Sequence, residues 1–352
     1  MSLAKESKKS RISLIVPGYN EEQILNQNLS VIFDYLKSLE PEYEFELIFI
    51  NDGSVDKTHE ISEKFVSEHP NCIVIHHNKN MKLGTALQTG FKHASGDYVI
   101  SYDLDLSYSL DHIKRMLDTI KETNADLVIA SPYMKGGKLT KVPYLRKILS
   151  KFVNRFMYFA SQDKFSTFTG MVRTFDARFL KSLNLKAKDY EINPEIIYKS
   201  LILRAHVIEI PAHLDWSLQR KERKKSISFK RIFHGVIAGL MSGYIFRPYI
   251  FFMAIGFILF IVSLYIISWI LINIYHVYPE IPVAAGYFDD RLSNAIAEVF
   301  RNRPHAFFIG GFTFLISLQL ISIGFLSLQN KRYFEELFHI STTLHKHNQR
   351  IS

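Results

Sequence analysis

From Pro248 to Pro279 the chain has no Asp, Glu, Lys or Arg in 32 consecutive residues, and a second uncharged run covers the 25 residues from Ala306 to Asn330. A membrane-spanning helix needs roughly 20 apolar residues, so each run can cross a bilayer, and the first has length to spare for tilt. Two buried core helices are the other use of such runs, but uncharged stretches this long favour spans. In a bilayer no water satisfies the backbone, so these segments must be helical. The flanking charges set an orientation. RKERKKSISFKR (220–231) precedes the first run and Lys331–Arg332 follows the second, whereas the loop between them carries Glu280, Asp289, Asp290 and Glu298 against three Arg. Positive charge stays inside. An integral membrane protein is therefore expected, with a hairpin over 248–330, an external loop at 280–305, a tail over 331–352, and both termini cytoplasmic.

Ahead of the first span, Gly235, Gly239 and Gly243 repeat at a spacing of four. On a helix they form one smooth strip that allows close backbone approach. Residues 232–247 are too short to span and follow basic residues, which predicts an interfacial helix. The strip is expected to pack on the chain's own spans, with a homo-oligomer as its other use.

The region before that reads differently. ISLIVPGY, FELIFIND, NCIVIHHN, DYVISYDLD and ADLVIA are apolar, β-branched runs separated by amphipathic stretches such as EEQILNQNLSVIFDYLKSL and SLDHIKRMLDTIKE. Alternating strands and helices predict an α/β domain with a mostly parallel sheet, over residues 11–231 behind a basic tail at 1–10. The second half is less regular. TFTGMVRTFD suggests a strand or turn, EINPEIIYKSLILRA a helix and HVIEIPAHLDW a last strand. No apolar run opens the chain, so no cleavable signal peptide is expected and the α/β domain belongs in the cytoplasm. The single cysteine, Cys72, excludes an internal disulfide and a Cys-rich zinc site. A net charge of +9 in clusters suits an anionic membrane face, a phosphorylated substrate or nucleic acid. No nucleic-acid recognition motif accompanies it, so nucleic acid is not an expected partner.

Ligands of parallel sheets lie beyond the carboxyl ends of the strands. The polar residues there are Tyr19, Asn20 and Glu21, then Asn51, Asp52, Gly53 and Ser54, then Asp103 and Asp105. The last pair ends the run GDYVISYDLD. On an extended chain, residues two apart face the same way, so two carboxylates point at one spot. A divalent cation makes that arrangement favourable: Mg²⁺ typically takes one or two carboxylates plus substrate phosphates. Two exposed acids at a strand end are the plainer reading, since D-x-D arises easily by chance.

VPGYNEE, NDGSVDKT, GTALQTG and GDYVISYDLDLS occur in that order, and as a set they resemble the nucleotide-sugar-binding half of family 2 glycosyltransferases, from about residue 12 to 135. No G-x-G-x-x-G follows the first strand, as a Rossmann dehydrogenase would require. The resemblance implies the GT-A fold and a nucleotide-sugar donor such as GDP-mannose or UDP-glucose. It implies that Pro17, Tyr19 and Glu21 line the nucleoside pocket, with Ser54 and Gly84 in the same donor site, and that Asp52 bonds the base. Asp103 and Asp105 would hold the sugar diphosphate through Mg²⁺ or Mn²⁺. From the residues alone, Pro17 and Gly53 are ordinary turn residues and Asp52 an acid near a helix N-terminus.

SPYMKGGKLTKVPYLRKILSKFVNRF resembles the part of polyprenyl- and dolichyl-phosphate hexose synthases that holds the lipid phosphate. By that resemblance Arg146 and Ser150 grip the phosphate; four apart, they share a helical face. Arg173 corresponds to a basic residue shared with the family, and the loop with Arg220 and Arg223 to one that closes over the substrates. Polybasic contact with anionic lipid headgroups is that loop's other use. The chain departs from the family where Leu106-Ser107 replaces Leu-Gln, removing a side-chain amide metal ligand. Pro132 stands where an acceptor arginine is usual, leaving Lys135 or Arg173 to replace it.

The resemblance thus implies inverting transfer of a hexose to polyprenyl or dolichyl phosphate on the cytoplasmic face, with Asp105, Arg146 and Arg173 as its catalytic groups. A lipid phosphate is already an oxyanion near neutral pH and needs no general base, and the sequence shows no His–Asp pair that demands one. Transfer to a lipid or glycan hydroxyl is the alternative, with Glu191 or Glu195 as base, although no Q-x-x-R-W motif of processive synthases is present. A nucleotide-sugar-binding scaffold or flippase component is the non-enzymatic alternative.

Overall fold

The structure, a computed structural model, describes residues 9–144, 147–151, 154–155, 165–217, 247–282 and 290–351, the last nine of these by backbone alone. Most of the expected basic tail, Arg146, Arg220, Arg223 and the expected interfacial helix before Arg247 lie outside the described residues. The chain divides into two units, one comprising 1–243 with 338–352 and the other 244–337.

The first unit is built on a seven-stranded sheet in the order β3-β2-β1-β4-β7-β5-β8. Its first five strands are those expected: β1 Ser10–Gly18, β2 Tyr43–Asn51, β3 Cys72–His76, β4 Tyr98–Ser101 and β5 Leu127–Ser131. A short β6 (Lys138–Thr140) pairs in parallel with β9 (His213–Asp215) as a separate ribbon. The strand left undecided between strand and turn is β7, Arg173–Asp176, which runs antiparallel between β4 and β5. β8, Val207–Pro211, pairs with β5, so HVIEIPAHLDW supplies two strands in two sheets rather than one.

Alternation along β1 shows how the sheet is covered. Ile12, Leu14 and Val16 enter one core with Leu25, Leu29, Ile32 and Leu36 of α1 (Leu25–Ser38). Phe65 of α2 (Thr58–Glu68) and Ile113, Met116, Leu117 and Ile120 of α4 (Asp111–Thr123) join the same core. Ile15 enters the other, with Ala86, Leu87 and Phe91 of α3 (Leu83–His93). Phe179 and Leu180 of α5 (Ala177–Ser182) and Ile192, Ile196 and Ile197 of α6 (Ile192–Ile202) complete it. Helices on both faces of a parallel sheet leave its strands apolar on both sides, which is why these runs lack strict polar alternation.

β1 leads through α1 and α2 to β2 and β3 on one flank, and β4 lies on the other. The strand order therefore reverses between β1 and β4, and such a switch point leaves a crevice at the carboxyl ends. The loops 18–24 and 102–110 lie there.

The second unit contains α7 (Pro248–Val277), α8 (Arg291–Asn302) and most of α9 (Pro304–Ile351). The helical segments Pro248–Glu280 and Pro304–Thr342 are long and apolar enough to cross a membrane, with mean hydropathies of 2.8 and 2.0, and few of their residues are buried. The α9 helix continues unbroken through Lys331, where a tail was expected to begin. The loop expected outside carries an amphipathic helix, α8, whose Ala295 and Val299 pack on Ile270 and Ile274.

Candidate active site

Two strand-end loops interlock at the switch point. After β1, Asn20 donates its backbone N–H to Ser54 Oγ at 2.9 Å and accepts the Val55 N–H on Oδ1 at 2.9 Å. Glu21 N–H donates to Thr58 Oγ1 (2.9 Å), Glu22 N–H to Asp56 Oδ2 (3.2 Å), and Lys57 N–H returns to Glu22 Oε2 (3.1 Å). Asn20 sits at φ 56° to make this possible, a conformation Asn tolerates better than most residues. PGYNEE and NDGSVDKT are therefore one rigid rim. Within it Tyr19 is 42% exposed, Pro17, Glu21 and Ser54 are half-buried, and Gly18 meets Phe49.

Asp52 lies beneath this rim. It is 4% exposed, and its carboxylate accepts the Met81 N–H and His77 Nδ1 on Oδ1, both at 2.8 Å, and the Lys82 N–H on Oδ2 at 2.9 Å. His77 Nε2 meets Thr89 Oγ1 at 2.9 Å, so the neutral ring donates from Nδ1 and accepts from threonine. This His–Asp pair holds a loop and does not by itself demand a catalytic role. Residues 25 apart are joined because each follows one of two adjacent strands, a relation that sequence spacing does not display. It also gives Asp52 a task other than bonding a base: it fixes the 77–82 loop, including Lys82 at φ 75°.

The acids do not sit on an extended strand as expected. β4 ends at Ser101, and Leu104 and Asp105 form a turn, with Leu106 at φ 52°. A leucine in the left-handed region costs about 1–3 kcal/mol and persists only where its surroundings impose it. Here they do. Asn28 Nδ2 donates to Leu104 C=O (3.0 Å), Ser107 N–H to Asp105 Oδ1 (3.0 Å), and Asp215 N–H to Ser107 C=O (2.8 Å). Tyr102, fully buried, donates its hydroxyl to Tyr108 C=O. Asp103 and Asp105 emerge half-buried on this braced turn, beside the loop after β1. Two hard carboxylates so held are suitable ligands for Mg²⁺ or Mn²⁺.

Gly84 owes its identity to packing. A Cβ there would lie 2.4 Å from Ala187 C=O and 2.6 Å from the Lys188 carbonyl carbon.

On the other flank, Ser150 accepts the Tyr133 hydroxyl at 2.6 Å, and Lys135 is exposed. The buried Ser131 meets Ser166 Oγ at 2.6 Å, and Glu209 accepts both Ser166 and Thr167 N–H groups. Burial pushes the Glu209 carboxyl up, against the opposing pull of those donors. Arg173 does not fit the role expected of it. It is 0% exposed and donates to Phe168 C=O and Asn193 C=O, so its guanidinium ties loop 165–168 to α6 and is not presented to an acceptor. Burial lowers its pKa to about 9, which leaves it charged at neutral pH. Glu195 is also committed: it accepts the Lys186 and Ala187 N–H groups and pairs with Lys199 at 2.7 Å, both side chains being buried. Glu191 is half-buried at the start of α6.

An α/β domain with a polar crevice at its switch point, a braced rim and a pair of metal-suited carboxylates has the architecture in which doubly wound sheets bind ligands. Residues 13–183 match the family described as Glycosyl transferase family 2, and this stretch of the chain is a family 2 glycosyltransferase domain with the GT-A fold. Among similar curated proteins, a dolichol-phosphate mannosyltransferase of Pyrococcus furiosus is 36% identical over 141 residues, which are 40% of this chain and 38% of that protein. A dolichyl-phosphate beta-glucosyltransferase of Trichomonas vaginalis is 36% identical over 146 residues, 40% of this chain and 45% of that one. The chain thus spans less than half the length of these relatives. A solved mannosyltransferase from Pyrobaculum calidifontis, in complex with GDP-Man and Mn²⁺, aligns over 96% of this chain and 87% of that one at 14% identity and a TM-score of 0.43. A likeness that slight carries no argument about ligands.

Proposed function

We propose that this protein transfers a hexose, with inversion, from a nucleotide sugar such as GDP-mannose or UDP-glucose to polyprenyl or dolichyl phosphate at the cytoplasmic face of a membrane. The observation that carries the proposal is the braced turn presenting Asp103 and Asp105 beside the interlocked rim at the β1/β4 switch point. The names of the two partial relatives described above, a dolichol-phosphate mannosyltransferase and a dolichyl-phosphate beta-glucosyltransferase, support the acceptor class.

In this reading the rim from Pro17 to Glu21, together with Ser54, forms the wall against which the nucleoside lies, with Tyr19 its most exposed side chain. Asp52 and Gly84 act as positioning residues by fixing the 77–82 loop and the start of α3. Asp103 and Asp105 hold the divalent ion. Bound there, Mg²⁺ or Mn²⁺ would supply charge neutralisation for the departing diphosphate. Lys135, Ser150, Arg146 and the basic loop with Arg220 and Arg223 orient the acceptor phosphate, whose oxygen attacks the anomeric carbon opposite the leaving group. Commitment of Glu195 to Lys199 and the backbone favours an acceptor that needs no general base. The apolar helices anchor the domain in the membrane, with both termini cytoplasmic by the distribution of Lys and Arg.

The test is transfer from radiolabelled GDP-mannose and UDP-glucose to a short polyprenyl phosphate, with Mn²⁺ and with EDTA, beside Asp105→Ala. Metal-dependent label in the lipid, absent from the variant, is the expected result. Donor binding with no labelled lipid phosphate would overturn the acceptor assignment and turn attention to hydroxyl acceptors and Glu191.

A further inference from the structure

On the outer flank of the sheet His59, Glu63 and His76 converge, one potential ligand atom from each lying within 4.8 Å of the others. His59 and Glu63 are one turn apart on α2, and His76 is the last residue of β3. The His76 Nε2–Glu63 Oε1 distance is 2.8 Å, and the two imidazoles face each other with centroids 3.9 Å apart. We infer that these three residues form a binding site for a transition metal of the Zn²⁺ type, separate from Asp103 and Asp105.

The donor chemistry separates the two sites. Two imidazoles and one carboxylate suit Zn²⁺, with water in the fourth tetrahedral position, whereas the all-carboxylate pair suits Mg²⁺ or Mn²⁺. Ligand atoms of a tetrahedral zinc with bonds of about 2.0–2.1 Å stand roughly 3.3 Å apart, so the Glu63–His76 pair, now at 2.8 Å, must open slightly and His59 must turn its ring toward the ion. The His59 and Glu63 side chains are exposed, and the His59 ring gives up its ring contact with His76 as it turns.

The neighbour of His76 adds a consequence. Asn51 Nδ2 lies 2.9 Å from His76 Nδ1, while Asn51 Oδ1 accepts the Ser54 N–H at 3.1 Å. The amide therefore donates to Nδ1, and the neutral ring carries its proton on Nε2, facing Glu63. A metal ion on Nε2 takes that proton's place. The Nε2 proton leaves to solvent, Nδ1 takes one up, and Asn51 must turn its amide so that Oδ1 accepts from Nδ1. Ser54 N–H then loses its partner. Zinc at this flank is thus linked to the rim that Asn51 and Ser54 brace, and it should loosen that rim.

The experiment uses the full chain in detergent, without a polyhistidine tag, stripped of metal and titrated with Zn²⁺ against a chromophoric chelator. One zinc bound by the wild type, retained in the Asp103→Asn/Asp105→Asn double variant and weakened by about tenfold or more in both His59→Ala and Glu63→Gln, is the expected result. Hydrogen exchange at residues 51–55 should quicken with zinc in the wild type and not in His59→Ala. Wild-type zinc affinity in His59→Ala, or loss of the zinc with the two aspartates, overturns the site. Zinc bound with unchanged exchange at 51–55 overturns the link through Asn51. Neither result depends on sugar transfer, so failure of the site and failure of the proposed activity remain distinguishable.

Discussion

Asp52 offers the sharpest test of how the donor half is held. Its carboxylate takes three donors, from His77, Met81 and Lys82, in a buried position. Hydrogen bonds to a charged acceptor contribute about 1.5–3 kcal/mol each, but these share one group and water can enter once it is gone. We expect Asp52→Ala to cost about 3–5 kcal/mol, in the range found when one partner of a buried charged network is removed. A domain in the middle of the usual range of about 5–15 kcal/mol survives that loss. The loop does not, because Lys82 at φ 75° is held in a strained conformation by the bond that is lost. The assay is hydrogen exchange by mass spectrometry. A local loss of about 3 kcal/mol accelerates exchange at the Met81 and Lys82 amides roughly a hundredfold. Asp52→Asn should fall between, because one amide oxygen can keep His77 and Met81 while its NH₂ opposes the Lys82 N–H. Unchanged exchange at residues 81–82 in Asp52→Ala would refute the clamp. If Asp52→Asn lowered nucleotide affinity while leaving exchange untouched, the residue would bond the base after all.

Three further outcomes follow from the same geometry. Gly84→Ala drives a methyl to 2.4 Å from the Ala187 carbonyl oxygen, which neither backbone can yield cheaply; overpacking of this kind costs about 1–3 kcal/mol and should show as a lowered midpoint in thermal unfolding. Glu195→Ala leaves Lys199 buried without its carboxylate and should destabilise by about 3–5 kcal/mol, whereas a Glu195→Gln/Lys199→Met pair should recover much of that loss in denaturant titration. Burial opposes ionisation of Asp56, but the Thr58 hydroxyl and the backbone N–H donors outweigh it and hold its pKa below the ordinary value of 3.8. Such a group stabilises the fold above its unfolded pKa and releases that stability only as pH falls through the lower folded value. The rim around Glu22 and Thr58 should therefore persist to below pH 3.8 in wild type, and Asp56→Asn should remove the acid limb of the rim's exchange profile.

Much of the domain was legible because its signals are local. Five β-branched runs became five strands, four of them within a residue or two and β4 ending four residues early, and α4 shows its buried His112, Ile113, Met116, Leu117 and Ile120 at helical spacing. What escaped depends on contacts between distant segments. β7 is only four residues long, and its antiparallel place between β4 and β5 is set by Ser101 and Ile129, each paired with Arg173. Its arginine was expected to serve the acceptor by resemblance because nothing in TGMVRTF reveals the carbonyls of Phe168 and Asn193 that enclose it. The acidic pair was found by residue type and position, but the reason first given for it, strand alternation, belongs to a chain that stays extended. Leu106 at φ 52° shows that it does not.

That difference bears on what the acids can do. On a strand, Asp103 and Asp105 would share the sheet's rigidity and its spacing. On a turn, their separation is set by Asn28, Ser107 and, through Ser107, Asp215, so the pair is adjusted by α1 on one side and by the β6/β9 ribbon on the other. The bridge between Tyr108 and Leu214 strengthens the second connection. The ribbon is formed by the strands that follow β5 and β8, on the flank assigned to the acceptor. In the proposed reading, a carboxylate pair held by α1 on one side and by the β6/β9 ribbon on the other would respond to either substrate, whereas most rim side chains are already spent on each other. Asp52 has spent both carboxylate oxygens on His77 and the 81–82 backbone, and Arg173 is enclosed by the Phe168 and Asn193 carbonyls. On the same reading, donor contact should therefore depend on Tyr19, Asp103 and Asp105 rather than on either of them.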